Sequence, residues 1–138
     1  MFGGEHSAHY YFRDFWGADN GMLAALHVLA ERGSSMNPLS ELVKNFSRYV
    51  ESGEINSVVS DQASTMEDVV RSFEDRAHID RLDGITVTGE NPDGLWWFNV
   101  RPSNTEPLLR LNVEAKTQES MESIRDEVLA IIHSRSES

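Results

Sequence analysis

The stretch that most limits how this chain can fold runs from residue 84 to residue 115. Three apolar segments, Gly84–Thr88, Leu95–Arg101 and Leu108–Ala115, follow one another there with only short turn-forming residues between them. Each reads as a strand, and Asn91-Pro92-Asp93-Gly94 is strong turn chemistry, so the first two form a hairpin. Trp96 and Trp97 then point to opposite faces of a strand, and at most one of them belongs to the core. Upstream, Tyr49–Val59 alternates well enough for a further strand with Gly53 as a bulge. Helices frame these strands. One is predicted from Leu39 to Phe46 after Pro38, and one is opened by the capping-box pattern Ser64-Thr65-Met66-Glu67 before Val69, Val70 and Phe73. The last runs from about Thr117 to His133 with Met121, Ile124, Val128, Ile131 and Ile132 inward. Helix, strand, helix, three strands, helix describes an α+β domain, a mainly antiparallel four-stranded sheet packed with helices.

Residues 1–33 stand outside that pattern. An irregular, aromatic-rich segment leads to Asp19-Asn20, an N-cap signal, and a helix over Gly21–Arg32 with Gly33 as its stop. Met22, Leu26 and Leu29 form its apolar stripe, which a lone helix cannot bury. Residues 34–37, Ser-Ser-Met-Asn, are the expected linker, which gives a first region of 1–33 and a domain of 38–138. The opening Met1-Phe2-Gly3-Gly4-Glu5 suits a natural N-terminus and a piece of a longer protein equally.

A formal net charge of −11, from 23 acidic and 12 basic residues, repels polyanions and argues against general binding to nucleic acid or an anionic membrane. With no cysteine, disulfides and thiolate metal sites are excluded. No apolar run reaches membrane-spanning length and no signal pattern opens the chain, so the cytosol is the expected compartment. Glu5, His6 and His9 lack an evident further ligand set for a metal site, and packing is the favoured role of Tyr10, Tyr11, Phe12, Phe15 and Trp16.

Against this acidic background one segment is rich in donors: Arg101-Pro102-Ser103-Asn104-Thr105-Glu106-Pro107-Leu108-Leu109-Arg110. A phosphate dianion needs several donors arriving from different directions, including a planar, permanently charged fork. Arg101 offers the fork; the Ser103 and Thr105 hydroxyls, the Asn104 amide and the backbone N–H groups of the turn offer the rest. Pro102 and Pro107 stiffen the backbone on either side. Arg110 either reaches the same anion or pairs with Glu106. The plainer alternative is a connecting turn whose polar side chains serve the local backbone.

Arg-Pro-Ser-Asn-Thr-Glu-Pro with the trailing Leu-Leu-Arg resembles the phosphate-binding loop in the last domain of the phosphohexomutase superfamily, the phosphomannomutases and phosphoglucomutases. Pro38–Leu42, Gly53–Asn56, Asp83–Ile85 and Trp97–Val100 resemble other recurring stretches of that domain, so the likeness covers nearly the whole chain. It implies a TATA-binding-protein-like C-terminal mutase domain, with residues 1–33 as the tail of the preceding sugar-binding domain. Gly4-Glu5-His6-Ser7-Ala8-His9 resembles that domain's sugar-recognition loop, usually Gly-Glu-x-Ser-Gly-His. Glu5 and Ser7 would then bind sugar hydroxyls, and His9 would serve proton transfer or positioning. Ala8 replaces the usual glycine, so the loop is expected to avoid a left-handed backbone there.

The resemblance further implies a parent enzyme that interconverts hexose 1-phosphate and hexose 6-phosphate through a phosphoserine and a hexose bisphosphate, with Mg2+. Neither the family's Thr-Ala-Ser-His-Asn-Pro-like serine loop nor its Asp-Gly-Asp-x-Asp-Arg-like magnesium loop occurs in this sequence. The expectation is a fragment that binds sugar phosphate, is inactive by itself, and works with the parent's missing N-terminal domains. A stand-alone anion-binding regulatory module is the alternative.

Overall fold

The computed structural model describes residues 2–4 and 8–134. The chain forms two compact units, Met1–Ser47 and Arg48–Ser138. The expected linker was 34–37; the division between units falls between Ser47 and Arg48, and the helix after Pro38 belongs to the first unit.

In the first unit, strands β1 (Phe2–Gly4) and β2 (Tyr10–Phe12) pair antiparallel, where an irregular loop was expected. A short 3-10 turn, Arg13–Phe15, follows. Helix α1 (Gly21–Ser34) starts as expected, with the Asn20 side chain accepting the Leu23 N–H at 2.9 Å. It does not stop at Gly33 but runs one residue further. Its apolar stripe stays open, with Met22, Leu26 and Leu29 all more than half exposed. Phe12 packs edge-on against Phe2 and stacks on His27, whereas Trp16 meets the ring of Phe15 at a centroid distance of 5.2 Å yet stays 88% exposed. Helix α2 (Leu39–Lys44) ends before Phe46.

The second unit contains one antiparallel sheet of six strands, not four, and helices on one of its faces. Strands β3 (Val50–Glu51) and β4 (Ile55–Val58) come from the single run expected over 49–59. Gly53, with φ +67°, breaks that run; both halves then pair with the same partner strand. The other additional strand is β5 (His78–Asp80), three residues on the sheet edge and too short to carry a readable period. Strands β6 (Ile85–Asn91), β7 (Gly94–Pro102) and β8 (Leu108–Ala115) form the centre, in the order β5-β6-β7-β8 with β3 and β4 beyond β8. Asn91 pairs with Gly94, so Pro92 and Asp93 alone make the hairpin turn.

Alternation sorts the side chains. Ile85, Val87, Trp96, Phe98, Val100, Leu109, Leu111, Val113 and Ala115 are buried beneath helices α3 (Gln62–Phe73) and α4 (Gln118–Ser134). Phe73 meets Phe98 and Trp96 edge-on, at centroid distances of 4.9 and 5.9 Å. A fully buried phenylalanine such as Phe98 contributes about 2–3 kcal/mol of apolar transfer. Trp97, on the opposite face, donates its indole N–H to Glu114 at 3.2 Å. The N-cap of helix α3 lies three residues before the expected Ser64: it is Asp61, which accepts both the Ser64 N–H and the Ser64 hydroxyl. Met121, Ile124, Val128 and Ile132 are the buried face of α4, with Ile131 only partly covered.

Candidate functional site

Because β7 and β8 alternate, the face away from the helices carries Asn99 and Arg101 on one strand and Arg110 and Asn112 on the other. Arg101 and Arg110 are direct cross-strand partners, the last such pair before the connecting loop except for Pro102 and Leu109. Like charges facing each other in that way repel. Between them stands Glu54, from the short link between β3 and β4, with one carboxylate oxygen 3.6 Å from Arg101 Nη2 and the other 3.6 Å from Arg110 Nη1. Arg110 therefore takes Glu54 as its ion-pair partner, not Glu106. Its Nε is buried and has no hydrogen-bond partner among the described residues.

Loop 103–107 is anchored on several sides. The Ser103 N–H donates to Leu108 O at 2.9 Å, and the Val59 N–H donates to Pro107 O at 3.1 Å. Gln62, the first residue of α3, donates from its side-chain amide to Glu106 O at 3.2 Å and to Leu108 O at 2.9 Å. Ser103 is buried, and its Oγ accepts a long, 3.4 Å contact from the Thr105 N–H, an ST-type turn. Asn104 and Thr105 are exposed at the tip. Gly84 adopts φ +65° directly against the backbone of Val100 and Arg101. Asn99 ties the same region together by donating to Asp83 O and Thr86 Oγ1.

Of the five residues expected to grip phosphate, Arg101 and Arg110 are thus brought side by side, Ser103 and Thr105 lie within one turn, and Asn104 lies between those two in sequence at the exposed tip. What such an arrangement offers is two guanidinium forks beside a hydroxyl- and amide-bearing turn, a donor set suited to a tetrahedral dianion. Sequence reasoning gave no role to Glu54, Gln62 or Gly84. Glu54 lies in the recurring stretch Gly53–Asn56, but nothing in the sequence tied it to the arginines; for Gln62 no local signal existed, since its partners lie 44 and 46 residues away.

In the first unit, Glu5 and Ser7 lie outside the described residues. His9 is described: its Nδ1 lies 2.7 Å from Asp19 Oδ2, while Asp19 Oδ1 accepts the Tyr10 N–H at 2.8 Å. The hydrogen bond with His9, and next that with Tyr10, hold the Asp19 carboxyl below the ordinary carboxylate range. Ala8 has φ 64°, so the loop keeps a left-handed residue there despite the methyl group, contrary to expectation. Among the described residues no three His, Asp or Glu side chains group as a metal ion requires, and no helix is long and apolar enough to cross a membrane.

Comparison with known proteins assigns both units. Residues 54–131 match the phosphoglucomutase/phosphomannomutase C-terminal domain, and residues 1–49 match the alpha/beta/alpha domain III of the same proteins. A phosphomannomutase of Methanocaldococcus jannaschii is 42% identical over 131 residues, which is 95% of this chain and 28% of that protein. One from Escherichia coli is 39% identical over 137 residues, 96% of this chain and 29% of the relative. A crystal structure of a phosphoglucomutase/phosphomannomutase family protein from Burkholderia thailandensis superposes with a TM-score of 0.72 at 24% identity, covering 98% of this chain and 28% of that one; it supports the fold. The chain spans less than a third of the length of these relatives. With both of its units matched in this way, the chain belongs to the phosphoglucomutase/phosphomannomutase family.

Proposed function

We propose that this chain supplies the phosphate grip of a phosphohexomutase, and that its parent interconverts hexose 1-phosphate and hexose 6-phosphate in the cytosol. The observation that carries the reading is the juxtaposition of Arg101 and Arg110 beside the Ser103–Thr105 turn. Arg101 and Arg110 hold the phosphate that is not reacting, and Ser103, Asn104 and Thr105 complete its hydrogen bonds. Recognition of the phosphate alone, with few contacts to the sugar, suits an intermediate that must present either end in turn. Glu5 and Ser7 are assigned to the sugar hydroxyls, and His9, oriented by Asp19, to proton transfer or positioning.

The phosphorylated serine and the magnesium ion that relieves charge on the moving phosphoryl group are assigned to the parent's remaining domains. The role left to this chain is to bind and orient, so it has no mutase activity alone. The test is calorimetric titration of the chain with glucose 1,6-bisphosphate and, separately, with glucose. Binding of the bisphosphate that weakens about tenfold to a hundredfold in Arg101→Ala is the expected result, on the scale of a charge-assisted pair. Equal affinity of wild type and Arg101→Ala for the bisphosphate would refute the assignment.

A further inference from the structure

Glu54 donates nothing to a phosphate, yet it occupies the focus of the grip's positive charge. Its two oxygens are divided between two guanidinium groups, each at 3.6 Å, too long for a hydrogen bond and close enough for strong attraction. It therefore balances charge without consuming the N–H donors of either arginine. All three side chains are about one-quarter to one-third exposed, so water screens them less than it would at a free surface. Arg110 Nε in addition is a buried donor with no partner among the described residues.

We propose that Glu54 is the resident counter-anion of the phosphate grip, a carboxylate that competes with the ligand's phosphate for Arg101 and Arg110 and so sets how tightly the grip closes. The proposal rests on the reading of these arginines as phosphate ligands. Without Glu54 the two facing arginines present a local charge of +2, which holds any passing dianion; with it they present +1. An incoming phosphate must share the forks with a carboxylate fixed beside them, and the repulsion between the two anions weakens the bound state. The grip then closes firmly only on a ligand that brings contacts elsewhere, and it opens again when those contacts are lost. In the free protein the same carboxylate keeps the two cross-strand arginines from splaying apart.

The test titrates the 138-residue chain with inorganic phosphate and with acetate, following the Arg101 and Arg110 side-chain Nε–H signals and the Ser103–Thr105 amides by NMR. Glu54→Gln keeps the shape and removes the charge. It is expected to bind phosphate about tenfold more tightly and acetate about threefold, because the repulsion removed scales with ligand charge. Glu54→Asp, which keeps the charge, stays close to wild type. Glu90→Gln, which removes an equal charge at a distant exposed position, changes either affinity by less than about twofold. Unchanged or weaker phosphate binding in Glu54→Gln, with wild type still binding, overturns the counter-anion and leaves the phosphate grip standing. An equal gain for phosphate and acetate overturns it as well, since repacking and not charge would then explain the change. If neither wild type nor Glu54→Gln binds phosphate, the grip itself is refuted and Glu54's role with it.

Discussion

Gly84 lies so close to Arg101 that a Cβ on the glycine would sit 2.8 Å from the arginine's Cβ and 2.5 Å from the carbonyl oxygen of Val100. The neighbouring atoms are mostly backbone of a central strand, which has little room to retreat, and φ is +65°, where a side chain is strained in any case. Gly84→Ala should therefore destabilise the second unit by about 2–4 kcal/mol. Urea unfolding followed by tryptophan fluorescence checks it, since Trp96 and Trp97 both lie in β7. Arg101→Ala serves as the control: it removes a partly exposed charge and should cost stability no more than about 1 kcal/mol.

Gln62 acts on the loop from the side opposite the arginines' charge, by closing two carbonyl groups, Glu106 O and Leu108 O. Each oxygen also accepts a backbone N–H, Glu106 O from Leu108 and Leu108 O from Ser103, so Gln62 adds a second donor to each and lessens the negative charge they present beside an anion. Gln62→Ala should cost about 1 kcal/mol of stability and weaken phosphate binding severalfold, although Gln62 is not assigned to the ligand. Titration of the variant with glucose 1,6-bisphosphate reads the second effect; hydrogen exchange at the Leu108 amide reads the loosening of the loop.

The central hairpin, the third strand and the inward face of α4 were legible because their information is local: period-two alternation, a Pro-Asp turn, apolar spacing along a helix. The six-stranded sheet was not. Gly53 looks like a bulge in sequence, and only pairing of both flanks with β8 reveals it as a break between two strands. The cap of α3 was misplaced because Ser64 and Asp61 are both good caps, and they bond each other. At the candidate site the donors were readable as a cluster, since they fall within ten residues of sequence. The groups that aim them were not: Glu54 is 47 and 56 residues from its two arginines, and Gly84 is 17 from Arg101.

Ala8 bears a conformational cost. Holding an L-residue at φ 64° costs about 1–2 kcal/mol relative to glycine, partly offset by the greater freedom glycine has in the unfolded chain. Ala8→Gly should stabilise the first unit by about 0.5–1 kcal/mol and leave the His9–Asp19 contact in place. Thermal unfolding of the variant, with the His9 ring shifts as a local reporter, tests both parts. A loss of stability would mean that the left-handed conformation is not what the loop adopts in solution.

The Asp19 carboxyl ties His9 to the first residue of β2, and its depressed pKa gives the contact a definite dependence on pH. Hydrogen bonds from His9 and from the Tyr10 amide favour the ionised form, so the folded chain takes up this proton less readily than the unfolded chain does. The stabilisation is complete above the ordinary value of 3.8 and is lost as the pH falls through the lower, folded value. The Tyr10 amide resonance should follow this protonation, with a midpoint below 3.8. In Asp19→Asn, where nothing titrates at that position, the amide should not move over the same range. His9 should then lose the fixed orientation that its role beside a sugar requires, visible as averaged ring shifts at neutral pH. A Tyr10 midpoint at or above 3.8 in the wild-type chain would mean that the carboxylate is not engaged by these two donors in solution.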